Sequence, residues 1–258
     1  MLTENAEIKR NINIKGDYYQ IDFHSPKIAA AAKAGQFAHI QIKNMEAHIF
    51  RRPFSIYDAT KDGTLSIVYK IVGYGTKVFA TLKPGTYCDI LGSQGSAYST
   101  ITEKIYPVLV VGGYGSAATY MLAKESEVKG KLLIGARTKD DLILIDEYQK
   151  LGFDVEVATE DGSMGKRGLV TALLEPYLGK KGHKIYACGP NGMMYAVAKM
   201  AVASNTDCEV SVDHPMCCGV GACFACVVKV YNKHRDGWAY SRSCKEGPVF
   251  NAKDIYIE

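Results

Sequence analysis

The sequence predicts a multi-domain protein: an antiparallel β-barrel, an α/β unit built on a parallel sheet, and a small cysteine-rich unit at the C-terminus. Three observations carry that expectation. Short β-rich runs broken by turn signals fill roughly the first hundred positions, buried-strand runs alternate with helical segments over roughly the next hundred, and half of the 8 cysteines crowd into Cys217 to Cys226. A chain of 258 residues also exceeds the size at which one core is usual, so two or three compact units are expected.

The barrel is assigned to residues 1–101. From Ile8 onward the runs Phe37 to Ile42, Phe54 to Tyr57, Leu65 to Val72 and Tyr87 to Leu91 read as strands, separated by turns such as Asp62-Gly63 and Pro84-Gly85. Evenly spaced short strands suggest a small antiparallel barrel. Residues 102–208 follow a different pattern, in which the apolar runs Val108 to Val111, Leu132 to Ile134, Val155 to Val157 and Ile185 to Ala187 alternate with helical segments at Ala117 to Val128 and Asn191 to Ala203. That alternation argues for a parallel sheet covered by helices. Residues 209–258 are rich in cysteine and glycine, with short strands expected at Val227 to Tyr231 and Ile255 to Ile257.

Composition narrows the function. The 31 Lys and Arg against 27 Asp and Glu leave a net charge of only +4, and no basic run is dense enough to neutralise a phosphate backbone, so a nucleic-acid partner is not expected. No stretch approaches the roughly 18 apolar residues of a spanning helix, and the polar segment Met1 to Arg10 lacks the apolar core of a secretion signal. A cytoplasmic location away from membranes is the expectation. In a reducing compartment, crowded cysteines point to metal rather than to disulfides.

Cys218-Gly-Val-Gly-Ala-Cys223-Phe-Ala-Cys226 has the C-x4-C-x2-C spacing of plant-type [2Fe–2S] ligation, and Cys244 supplies a fourth thiolate. Three sulfurs from one loop must converge on two irons, so the backbone wraps closely, and Gly219 and Gly221 permit this through positive φ and the lack of a Cβ. A zinc site, the alternative, usually pairs two short arms held apart by a spacer. Cys217 would lengthen the first spacing and is read as a neighbour, and Cys88 and Cys208 as small buried apolar residues.

Arg52-Pro53-Phe54-Ser55, Val68-Tyr69-Lys70 and Gly73-Tyr74-Gly75-Thr76 together resemble the FAD-binding barrel of the ferredoxin reductase family. The residue types suit the cofactor: Arg52 offers a fork of donors to a pyrophosphate, and the Gly75 and Thr76 amides form an anion nest. The resemblance implies Ser55 near the flavin N5, with Phe54 and Tyr69 against the cofactor. Arg51 reads as a surface charge.

Val108-Leu-Val-Val-Gly112-Gly113-Tyr-Gly115 is a strand running into a glycine turn and a helix, which lets backbone approach a pyrophosphate at a helix N-terminus. Tyr186-Ala-Cys188-Gly189-Pro190 resembles the turn that lies near the nicotinamide in ferredoxin reductases, which makes Cys188, Gly189 and Pro190 cofactor-binding candidates, with simple strand-end packing as the alternative for Cys188. Ala117 and Ala118 stand where many relatives have prolines. Arg137 is a candidate contact for an adenosine phosphate, and the choice between NAD and NADP stays open.

The order barrel, nucleotide unit and cysteine loop, carried most specifically by Cys218 to Cys226 with Ser243-Cys244-Lys-Glu-Gly-Pro-Val-Phe250, resembles the electron-transfer subunits of NAD-dependent (class B) dihydroorotate dehydrogenases. The resemblance implies FAD, a [2Fe–2S] cluster and NAD as substrate. It also implies a partner: an FMN-containing dihydroorotate dehydrogenase catalytic subunit, two of each, acting in pyrimidine biosynthesis. Nicotinamide exchanges electron pairs, a cluster single electrons and flavin both, so FAD stands between the other two. His214, before Pro215, reads as a turn residue. A subunit of the same build serving another partner, of sulfide dehydrogenase or ferredoxin:NADP reductase type, is the alternative, and a zinc-stapled module without redox activity is a more distant one.

Overall fold

A computed structural model describes residues 2–43, 45, 51–232 and 236–257. The first unit runs β1 (Leu2–Lys15), β2 (Tyr18–His24), α1 (Pro26–Ala31), β3 (Phe37–Gln41), β4 (Arg52–Ala59), β5 (Thr64–Lys70), α2 (Tyr74–Thr81) and β6 (Tyr87–Gln94). The six strands close in the order β1-β2-β5-β4-β3-β6. Closure depends on the 14-residue β1, which pairs with β6 through Leu2 to Glu7 and with β2 through Glu7 to Lys15, leaving no open sheet edge. Its polar residues alternate outward around the buried Ala6 and Ile8, which explains why a strand begins six residues before the expected start at Ile8. Ile21, Phe23, Ile40, Ile56 and Ile67 fill the interior. Phe79 of α2 stacks on Phe54, 5.1 Å between centroids, and fastens that helix to the barrel wall.

The second unit adds β7 (Tyr106–Gly112), α3 (Gly115–Glu125), β8 (Lys131–Ala136), α4 (Ile145–Lys150), β9 (Asp154–Thr159), β10 (Lys166–Arg167), β11 (His183–Cys188), α5 (Asn191–Ala203) and β12 (Asp207–Ser211). Then follow β13 (Val227–Tyr231), β14 (Trp238–Arg242) and β15 (Val249–Asn251). The seven-stranded sheet has the order β10-β9-β8-β7-β11-β12-β15, parallel except for β15. The apolar runs of β7, β8 and β11 are buried on both faces, as parallel strands require. The chain winds outward from β7 to β10 and then returns to β11 on the other side. The crevice at the carboxyl ends of β7 and β11 is therefore a topological switch point, where α/β sheets bind ligands.

Three details differ from the expectations. Helix α3 stops at Glu125 rather than Val128, and Ser126 turns away in an extended conformation. The strand expected at Ile255 to Ile257 is a single bridge from Ile255 to Val230, because the backbone leaves a short 3-10 turn at Ala252–Asp254 and Ile255 is buried by packing rather than by a ladder. The strand of that region is β15, antiparallel to β12. The seven-stranded sheet thus takes β12 and β15 partly from residues assigned to the third unit, and the 208/209 boundary runs through β12.

Candidate functional site

The barrel, the sheet and the segment leading to the cysteine loop enclose a cavity of about 370 Å³. At one end, Arg52 on β4 lies over the first turn of α2. A Cβ on Gly75 would overlap the Arg52 guanidinium, so glycine is what lets the cation and the helix N-terminus occupy one place. The Thr76 hydroxyl accepts from the N–H groups of Val72 (2.9 Å) and Gly73 (3.1 Å) and donates to the Gly73 carbonyl. That hydroxyl is spent on shaping the turn, and the backbone amides of Gly75 and Thr76 stand at the helix start beside Arg52. A guanidinium and a helix N-terminus together favour an anion such as a pyrophosphate.

The cavity wall continues along the barrel through Pro53, Phe54 and Ser55 of β4 and Val68, Tyr69 and Lys70 of β5. Tyr69 packs on Phe54 (5.8 Å) and Phe79 (4.8 Å), and its hydroxyl donates to Asn11 Oδ1 at 3.2 Å. The result is an aromatic wall able to flank a planar heterocycle. Lys70 is ion-paired with Asp141 at 2.6 Å and lies 4.9 Å above the Tyr18 ring. Its ammonium, with a bond from Tyr18, holds the Asp141 carboxyl below the ordinary carboxylate range against the opposing effect of burial. Arg51, read as a surface charge, is partly buried and pairs with Asp89 at 3.0 Å.

A second cavity of about 700 Å³ lies over the carboxyl edge of the sheet. Gly112 and Gly113 at the end of β7 and Pro190 at the start of α5 line it, with Arg137 after β8 and Glu160 after β9. Cys188 and Gly189 face the first cavity instead. Gly115 faces neither: a Cβ there would overlap the Cys188 carbonyl, so this glycine brings α3 against the end of β11. Burial, then the Asp213 carboxylate, push the Cys188 thiol up to about 12, so it stays protonated at neutral pH. Lys70, Val72 and Tyr114 line both cavities. Residues without a sequence signal complete the walls: Tyr18 and Asp141 in the second cavity, Phe37, Asp213 and Met216 in the first. Their separation along the chain hides them from any local pattern.

The cysteine loop packs onto this assembly. Gly219 and Gly221 adopt φ of +67° and +82° as the loop reading requires, but the neighbour that excludes a Cβ at Gly219 is the buried His39 ring of β3. Cys226 and Cys244 are buried against Phe37 and Met216, which also line the first cavity. Among the described residues no three His, Cys, Asp or Glu side chains gather around a single metal position. The four cysteines lie as two neighbouring pairs, Cys218 beside Cys223 and Cys226 beside Cys244, whose N–H donates to Cys226 Sγ at 3.4 Å. One zinc ion needs all four donors around one point, whereas two bridged irons take two thiolates each, and the paired arrangement fits the second. Burial raises the Cys218 thiol, but N–H groups of Val220, Cys223 and Ala222 outweigh it and bring the value down to about 6. The same N–H groups suit a thiolate bound to iron. Cys217 is exposed, and Cys88 and Cys208 are buried elsewhere.

Known proteins share this arrangement of units. Family models match an FAD-binding domain over residues 3–118, an oxidoreductase NAD-binding domain over 111–199 and the iron-sulfur cluster binding domain of dihydroorotate dehydrogenase B over 213–256. The dihydroorotate dehydrogenase B (NAD(+)) electron transfer subunit of Fusobacterium nucleatum is 34% identical, with 100% of both chains covered. Those of Caldanaerobacter subterraneus (33%, 97% of both chains) and Enterococcus faecalis (34%, 93% of this chain and 92% of the other) are similar. Among solved structures, an NADH-dependent reduced ferredoxin-NADP oxidoreductase aligns with TM-score 0.84 at 29% identity, over 98% of this chain and 90% of that one. The cytochrome b5 reductase domain of Ulva prolifera nitrate reductase shares the fold at TM-score 0.66 and 17% identity, over 79% of this chain and 93% of that one. With full-length relatives at one-third identity and a matching domain for each of its three units, the chain belongs to the family of dihydroorotate dehydrogenase B (NAD(+)) electron transfer subunits.

Proposed function

We propose that this chain passes electrons between a dihydroorotate-oxidising catalytic subunit and NAD, in pyrimidine biosynthesis, through a [2Fe–2S] cluster and FAD. The observation that carries the reading is contiguity. The first cavity shares Lys70, Val72 and Tyr114 with the dinucleotide cavity on one side and reaches the cysteine pairs through Phe37 and Met216 on the other. When bound, flavin supplies the exchange between electron pairs and single electrons.

The roles follow from position. Arg52 with the Gly75 and Thr76 amides would hold the flavin pyrophosphate, Phe54, Val68 and Tyr69 would line the cofactor's wall, and Pro53 stiffens the strand that carries Ser55. Lys70 braces the wall common to both cavities. Gly112, Gly113 and Pro190 admit the dinucleotide backbone, with Cys188 and Gly189 at its nicotinamide end and Gly115 setting the approach of α3. Cys218, Cys223, Cys226 and Cys244 would hold the cluster through their thiolates. On this reading residues 1–101, 102–208 and 209–258 serve FAD, NAD and cluster respectively, with β12 as the seam between the last two. The catalytic partner carries FMN, and two copies of each subunit assemble in the cytoplasm. No helix among the described residues is long and apolar enough to cross a membrane.

Cys223→Ser is expected to abolish cluster assembly while FAD stays bound, measured as iron per chain and visible absorbance after anaerobic purification. Full iron retention would remove Cys223 from the ligand set. The likeness to the ferredoxin-NADP oxidoreductase favours a second reading, in which the same relay serves another partner. Co-purified protein that reduces NAD with dihydroorotate supports the first reading, and a co-purified partner inert toward dihydroorotate supports the second.

A further inference from the structure

We propose that Tyr114 is a gate that positions the nicotinamide between the two cavities, held closed by Asp213; the proposal rests on the NAD and flavin assignment above. Tyr114 stands in the glycine turn at the start of α3, and its side chain lines both cavities. The residue is 44% exposed, and its hydroxyl donates to Asp213 Oδ2 at 2.7 Å. Asp213 lies 99 positions away, on the segment that runs from β12 into the cysteine loop.

Hydride transfer needs donor and acceptor atoms about 3–3.5 Å apart. A dinucleotide seated at Gly112 and Gly113 must therefore send its nicotinamide into the first cavity, past the wall made by Lys70, Val72 and Tyr114. Lys70 is committed to Asp141, and Val72 is small and 76% exposed. Tyr114 is the large member of that wall, held across the passage by its bond to Asp213. Rotation away from Asp213 opens the passage and offers an aromatic face for the nicotinamide to stack against. Tyr114 exchanges no proton or electron. It acts as a positioning residue, and breaking its tether is a cost that each nicotinamide must offset on entry.

The test uses the FAD-loaded, cluster-containing protein. Anaerobic stopped-flow reduction of the bound flavin by NADH gives an apparent dissociation constant and a limiting rate, and calorimetric titration with NAD gives affinity without turnover. Tyr114→Phe keeps the ring and loses the tether, so NADH is expected to bind about fivefold more tightly, the equivalent of about 1 kcal/mol. Asp213→Ala is expected to do the same, and the double variant no more than either single. Asp213→Asn, which keeps an acceptor oxygen, should stay near the unsubstituted protein. Unchanged or weaker NADH binding in Tyr114→Phe with full FAD content overturns the gate, as does loss of FAD from that variant, which would mark a structural role. If NADH fails to reduce the flavin of the unsubstituted protein, the functional reading itself falls, and the gate with it.

Discussion

The neighbours that a Cβ would meet at Gly75 and Gly219 lie across the fold. At Gly75 the excluded volume is the Arg52 guanidinium, and at Gly219 it is the His39 ring. The His39 ring is fully buried, and burial, then the charge of Arg51, hold its pKa down to about 4, so the ring between barrel and loop is neutral at physiological pH. The Gly75 case separates local from tertiary effects. Alanine favours an α-helix over glycine by about 0.5–1 kcal/mol, so Gly75→Ala should leave the helix at least as stable. It should nevertheless displace Arg52 from the anion site and weaken FAD binding by about tenfold, the scale of one charge-assisted hydrogen bond. Fluorescence titration of FAD-stripped protein measures this; unchanged affinity would separate Arg52 from the flavin.

At the scale of elements, the barrel is tied to the sheet unit by a small polar cluster. Asp141, in the 3-10 turn after β8, accepts from Lys70 of β5 at 2.6 Å and from Tyr18 of β2 at 3.0 Å. Lys70 lowers the folded-state pKa of Asp141, so the stability from this pair is fully present above the ordinary carboxylate value near 4 and is lost as pH falls through the lower folded value. Asp141→Asn should lower the melting temperature by about 2–4 °C, the scale of about 1 kcal/mol in a chain of this size. That difference should be constant between about pH 5 and 8 and shrink below about pH 4. Thermal denaturation across this range measures it, and a difference that grows on acidification would contradict the assignment.

At the scale of the whole molecule, the cysteine loop behaves as a keystone. It meets the barrel at Phe37 and His39, the segment before it meets the glycine turn at Asp213, and the segment after it joins the sheet through β15. Metal binding that organises such a loop contributes to folding as well as to chemistry. Removal of iron by a chelator is therefore expected to expose residues 216–226 to limited proteolysis while the barrel stays protected, with fragments identified by mass spectrometry. An identical cleavage pattern with and without iron would show that the protein fold alone orders the loop. Much of this architecture was legible in the residues, because strand period, glycine turns and the C-x4-C-x2-C spacing are local signals. The helix Asn191–Ala203 lies where its sequence pattern predicts, and the barrel and the parallel sheet follow from patterns only a few residues long. What the sequence by itself determined was the class of each unit and the residue types offered to each cofactor, since both are written within a few consecutive positions. Only the tertiary structure decided that β12 and β15 belong to one sheet, that Cys226 and Cys244 are buried together against Phe37, and that Tyr114 and Asp213 meet between two cavities. Those arrangements depend on contacts between distant segments, which close only when three units pack together.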